Sequence, residues 1–228
     1  MSFNSSSEFI KSLSVDVFPV LGKSISKVDF VAIDLSETNE DLNKVDVSSS
    51  QKLSEFVDAH IKNNQAKVAY GGYLEVRNIY KRSNHFNKQA QTERNIHIGL
   101  DLWCDAQTTI FAPLDAEVHS FKNNTNFGDY GPTIILKHQY GEEVFYTLYG
   151  HLSLQSIKNL QVGQTIAKGA PVATLGDASV NGDYPPHLHF QIIKDLQGNL
   201  GDYPGVCSKT DVAFYKTNCP NPELLLGL

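Results

Sequence analysis

From about residue 95 onward, short runs of β-branched and aromatic residues are broken at close intervals by Gly, Pro, Asn and Asp, the texture of successive strands joined by turns. The runs 109–112, 116–119, 133–136, 144–149 and 188–193 each suit a strand, and 123–128 reads as a loop. Many strands at this spacing predict a mainly β fold with an antiparallel sheet core. The segment 162–176 adds two short apolar runs punctuated by Gly163, Gly169 and Gly176, as hairpins folding back at tight corners require, so the core is expected to be barrel-sandwich-like. Biotinyl and lipoyl carrier hairpins share such spacing, but their modified lysine sits in a distinctive setting that Ala167-Lys168-Gly169 does not match.

The first 65 residues have a different texture. Clusters of Ser, Asn and Asp separate two helical patterns from one strand-like run at 28–33. Leu53, Phe56, Val57 and Ile61 recur at helical spacing behind the serines at 48–50, a plausible N-cap region. His60 beside that stripe reads as a partly exposed helix residue. The chain is therefore expected to divide into a small α/β region, 1–65, and a larger domain, 66–228, whose motif core spans 95–193.

A length of 228 residues with 41% hydrophobic content is enough to bury a sizeable core. The net charge of −6 is modest and the 19 Lys and Arg are scattered, which argues against nucleic acid and against a polybasic membrane patch. No apolar run near the N-terminus has the length of a signal-peptide core or a membrane span, so a cytoplasmic location is expected for the chain as written, and a periplasmic or secreted one if its start site is misassigned. Three cysteines, Cys104, Cys207 and Cys219, are an odd number and suit a reducing compartment; Cys207 and Cys219 are the pair that could bridge in an exported protein.

Two runs carry the chemistry: His97-Ile98-Gly99-Leu100-Asp101 and His187-Leu188-His189. Zinc in hydrolases is typically held by three side chains drawn from His, Asp, Glu and Cys, with water in the fourth position, and these runs supply three with imidazoles to spare. His187 and His189, two apart on a strand, face the same side. Taken alone they read equally well as polar residues on a solvent face. Along a straight strand His97 and Asp101 would stand roughly 13 Å apart, so the chain must bend between them. Gly99, free to adopt backbone angles closed to other residues, is the expected pivot. His151 closes an aromatic strand, where a lone histidine is usually structural; His119 and His138 read as ordinary sheet residues, and His85 carries no pattern.

The series His-x-x-x-Asp (97–101), Tyr-x-His-Leu-Ser (149–153), Val-Gly-Gln-x-Ile-x-x-Gly (162–169), Gly-Asp (182–183) and Pro-His-Leu-His-Phe (186–190) resembles the lysostaphin and LytM family of zinc endopeptidases. The likeness spans residues 95–193, less than half of the chain. It implies an antiparallel β-sheet core with loops walling a groove, and cleavage of peptide cross-links in peptidoglycan. It also implies Zn²⁺ held by His97, Asp101 and His189, with His151 and His187 as the catalytic pair. A site of two neutral imidazoles, one carboxylate and Zn²⁺ keeps net positive charge, as activation of water demands. Gly71-Gly72-Tyr73-Leu74-Glu75-Val76-Arg77 and the tail at 224–228 further resemble metallopeptidase modules fused to kinase-like and aminotransferase domains. The expected partner is thus a peptide or peptidoglycan substrate. The rival expectations are a non-catalytic binding module with a structural or vestigial zinc site, and a cytoplasmic zinc amidohydrolase acting on another peptide.

Overall fold

An eight-stranded sheet carries the site. The structure is a computed structural model that describes residues 6–82 and 93–228; His85 lies outside them. In chain order the strands are β1 Phe30–Ala32, β2 Val68–Gly71, β3 Arg94–His97, β4 Leu100–Trp103, β5 Thr109–Phe111, β6 Ala116–Asn124, β7 Gly131–Tyr140, β8 Glu143–Gly150, β9 Thr165–Ile166, β10 Pro171–Thr174, β11 His187–Ile193 and β12 Val206–Ser208. The large sheet has the order β1-β2-β4-β11-β8-β7-β6-β9, while β10 pairs with β5 and β12 with β3. The α-helices are α1 Ser6–Leu13, α2 Ser50–Asn63, α3 Val212–Asn218 and α4 Glu223–Leu226.

The fold is mainly β, and among the described residues all strand pairings but one are antiparallel; the exception is the parallel β1–β2 edge, which makes the sheet mixed. Two expectations change in detail. The apolar run at 28–33 yields only a three-residue strand, because a capping box between Ser26 and Asp29 closes a 3-10 turn over Lys27–Asp29. Asn123 and Asn124 extend β6 rather than opening a loop, since they pair with Pro132 and Gly131 of β7 and the Asn124 amide donates to the Gly201 carbonyl. Helix α2 begins as its sequence suggests: the Ser49 side chain accepts from the Lys52 amide, and Leu53 and Val57 are buried. The His60 Nε2 lies 2.9 Å from the Ala32 carbonyl. All three cysteines are free thiols, Cys207 and Cys219 buried.

Alternation along the strands gives the sheet two different faces. Leu100, Leu102, Ile134, Leu136, Tyr149, Leu188, Phe190 and Ile192 point into one large core, together with Ile110 of β5, Ala112 just beyond it, Ala173 of β10 and Leu225 of α4. On the other face lie two smaller clusters. One joins Ala69 and Trp103 to Leu53 and Val57 of α2, and the other joins Ile135, Leu148 and Ile193 to Cys207 and Cys219. The candidate site residues of β4 and β11 are on this second face, where two packed clusters supply walls.

His138 sits away from them as a buried member of β7. Its Nδ1 donates to the Asp115 carbonyl at 2.9 Å, and its Nε2 lies 2.7 Å from the Thr147 hydroxyl. Burial lowers its pKa from 6.5 to about 4. Between these values the unfolded chain binds a proton that the folded chain refuses, so stability rises with pH through this window and is lost as pH falls from 6.5 towards 4. His138→Gln is expected to flatten that dependence. Urea midpoints at pH 7.5 and 4.5 should show a loss on acidification larger in the wild type by about 2 kcal/mol; equal losses would refute the assignment.

Candidate metal centre and active site

Strand β11 runs between β4 and β8, and this placement gathers the histidines. Its register sets His189 opposite Asp101 on one side and Gly150 on the other, while His187 lies opposite Trp103. His151 follows Gly150 immediately. His97 ends β3, and the chain bends through Ile98 and Gly99 before β4 begins. The bend is where the sequence requires it, but for a different reason: Gly99 does not have a positive φ, and a Cβ at that position would collide with the imidazole of His189. Glycine is needed there for close approach.

The three groups converge. His97 Nε2 and His189 Nδ1 are 2.9 Å apart, and each is 3.3 Å from Asp101 Oδ1. Tetrahedral ligands bound at 2.0–2.1 Å would be separated by about 3.3 Å, so this triangle has the size that a zinc ion needs. Asp101 Oδ1 is buried without a hydrogen-bond partner, an orphan acceptor pointing at two imidazole nitrogens. Among the described residues, His97, Asp101 and His189 form a group able to hold a metal ion.

The remaining atoms of these side chains are tied in the sense that metal binding requires. His97 Nδ1 is 2.9 Å from the Gly72 carbonyl and His189 Nε2 is 2.9 Å from Gln191 Oε1; each can donate its proton outward, leaving the inward nitrogen as a bare lone pair. Gly72 has a φ of +105°, a left-handed conformation that turns its carbonyl to this task. Arg77 Nη1 donates to Asp101 Oδ2 at 2.6 Å and also pairs with Glu75. Burial opposes charge on Asp101, but His97, Arg77 and His187 outweigh it and hold the carboxyl well below its usual range.

His151 and His187 complete the cluster with ring centroids 4.2 Å apart. His187 Nδ1 donates to the Pro185 carbonyl at 2.8 Å, its Nε2 is 3.8 Å from Asp101 Oδ1, and its ring stacks on Trp103 at 3.9 Å. His151 Nδ1 donates to the Asn181 carbonyl at 2.7 Å, which leaves Nε2 as the free nitrogen. His151 has a φ of +62°, costly for a residue with a Cβ and a common mark of a functional position. Burial lowers the pKa of His187 to about 4 and that of His151 well below its ordinary value, so both rings are neutral bases at neutral pH.

His119 is placed elsewhere, against Ser120 and Tyr146, and His138 lies in the sheet interior. Lys168 pairs with Asp16 at 2.6 Å. Sequence reasoning singled out the stretch 71–77 but missed the role of Arg77, because nothing local ties a basic residue there to a carboxylate 24 positions later. It also missed Gln191, although the alternation His187, His189, Gln191 places all three on one strand face. Arg77 is a positioning residue, and Arg77→Met is expected to weaken zinc affinity about 10–100-fold, the usual scale for losing an outer partner of a ligand. Competition with a chelating dye would read this; unchanged affinity would sink it.

Residues 95–200 match the model of peptidase family M23. Over that span, a little under half of its length, the chain resembles an M23 peptidase domain. All five clustered residues lie inside the match, and Arg77 and Gly72 lie outside it. Among solved structures the chain is similar to the catalytic domain of the antimicrobial peptidase lysostaphin from Staphylococcus simulans, at 23% identity over 54% of this chain and 80% of that one, with a TM-score of 0.37. It is similar to a zinc-containing peptidase from Vibrio cholerae at 24% identity and a TM-score of 0.36, covering 48% of this chain but 31% of that one. The prophage-encoded M23 protein EnpA of Enterococcus faecalis, as the catalytic domain of a point mutant, matches at 18% identity over 52% of this chain and 84% of that one, with a TM-score of 0.37. No curated relative matches the chain significantly.

Proposed function

We propose that this chain is a zinc-dependent endopeptidase that hydrolyses amide bonds in the peptide cross-links of peptidoglycan or in a related peptide. The observation that carries this reading is the buried triangle of His97 Nε2, His189 Nδ1 and the orphaned Asp101 Oδ1, with sides of 2.9, 3.3 and 3.3 Å, beside two further neutral imidazoles. His97, Asp101 and His189 would hold the ion. When bound, zinc supplies Lewis acidity, polarising a carbonyl and lowering the pKa of water from 15.7 to about 7.

The chain's own residues supply the rest. His151 and His187, each with Nδ1 committed to a backbone carbonyl, keep one nitrogen available as an acceptor. One can take the proton of the attacking water, and the same ring, once protonated, can deliver it to the leaving amine or donate to the developing oxyanion. No glutamate base is required. Arg77 fixes the carboxylate plane, and Trp103 fixes the His187 ring through its stack.

The test is hydrolysis of peptidoglycan stem peptides and short Gly- and Ala-containing cross-link mimics by the zinc-loaded chain. Mass spectrometry should show amide cleavage with intact glycan strands, lost to a chelator and restored by zinc. Binding of these peptides without cleavage would favour a binding module instead. Neither binding nor cleavage would redirect the reading to a different peptide substrate.

A further inference from the structure

The metal centre opens into a cavity of about 260 Å³ whose wall is not confined to the peptidase domain. Besides the five clustered residues, the lining includes Leu35, Leu42, Val45, Val47, Leu53 and Ile79, none of which lies within the matched span 95–200. Leu35, Leu42, Leu53 and Ile79 are buried in the same cluster as Trp103, and Val45 and Val47 pack against it half-buried. None of the six side chains has a charge or a polar atom.

This wall is held in register with the metal centre. Strand β1, just upstream of Leu35, pairs with β2, and β2 pairs with β4 so that Gly71 faces Asp101. The Leu35 amide donates to Glu75 Oε1 at 2.9 Å, and Glu75 in turn pairs with Arg77, the partner of Asp101. The Glu37 amide donates to the Val76 carbonyl at 2.8 Å. A substrate whose amide reaches the imidazoles therefore meets a fixed apolar surface within the same cavity.

We propose that these six residues form a specificity subsite that receives a branched or aromatic side chain flanking the scissile amide, so that a peptide with leucine or phenylalanine there is preferred over one with glycine. The proposal rests on the peptidase reading and narrows its substrate class. Apolar pockets discriminate by the surface that the ligand buries, and a single methylene already changes kcat/KM about tenfold or more. Glycine would leave the wall unfilled.

The experiment uses the zinc-loaded full chain and capped Ala-based tetrapeptides in which one residue is Gly, Leu or Phe, moved through each position. Cleavage is read by mass spectrometry. Binding of reduced-amide analogues, which cannot be hydrolysed, is read by the fluorescence of Trp103, the single tryptophan of the chain and a residue of the cavity wall. Leu and Phe peptides should be cut with kcat/KM at least tenfold above the Gly peptide, and Val45→Phe, which fills the subsite, should bring that ratio close to one with zinc content unchanged. Equal rates, a preference for Gly, or a Val45→Phe effect of the same size on every peptide would overturn the subsite. If no peptide is cut but the Leu analogue binds at least tenfold tighter than the Gly analogue, the subsite stands and the peptidase reading falls. No cleavage and no such preference would overturn the subsite as well.

Discussion

Asp101→Ala and His189→Ala are each expected to strip the chain of zinc and, with it, of hydrolytic activity. Each removes one of only three protein donors in a triangle whose sides are 2.9, 3.3 and 3.3 Å, and two remaining side chains do not make a stable zinc site. The two variants should differ in stability. Asp101→Ala leaves the buried Arg77 guanidinium without the carboxylate 2.6 Å away, a loss on the order of 3–5 kcal/mol. His189→Ala leaves that pair intact. Elemental analysis after gel filtration, alongside thermal melts to establish folding, would decide: full zinc occupancy in both folded variants would rule out the ligand assignment.

Loss of the other two histidines should have the opposite signature, zinc retained and rate lost. His187→Ala removes an imidazole whose Nε2 is 3.8 Å from Asp101 Oδ1, beyond the triangle of ligand atoms. For His151 the informative substitution is His151→Asn, because asparagine tolerates the φ of +62° that alanine resists. Each should cost roughly a hundredfold or more in kcat, the scale of acid–base and oxyanion groups, at unchanged zinc content. Metal loss from a folded His187→Ala or His151→Asn chain would move that residue among the ligands, and near-normal kcat would remove it from the chemistry.

Much of the site was legible because a strand has a period of two. That period alone put His187 and His189 on one face, and the aromatic and β-branched runs alone located β5, β7, β8 and β11 to within a few residues. The need for a bend between His97 and Asp101 was also legible, since a straight strand would separate them by roughly 13 Å. The reason glycine occupies the bend was not: it is the imidazole of His189, distant along the chain, that leaves no room for a Cβ. Strand order was equally hidden. Nothing local in 187–193 announces that β11 inserts between β4 and β8, yet that insertion sets Asp101 beside His189 and carries His151 to the same point.

The sequence by itself determined the element types, the mainly β class and the donor atoms available to a metal, because these depend on side-chain chemistry and on periodicities of a few residues. Only the tertiary structure decided which donors share a point, that Arg77 and Gly72 brace them, and that Leu35, Leu42 and Leu53 wall the same cavity. Those facts are contacts between segments distant along the chain. They are fixed by sheet register and by the burial of two separate clusters on one sheet face, and no local pattern encodes either.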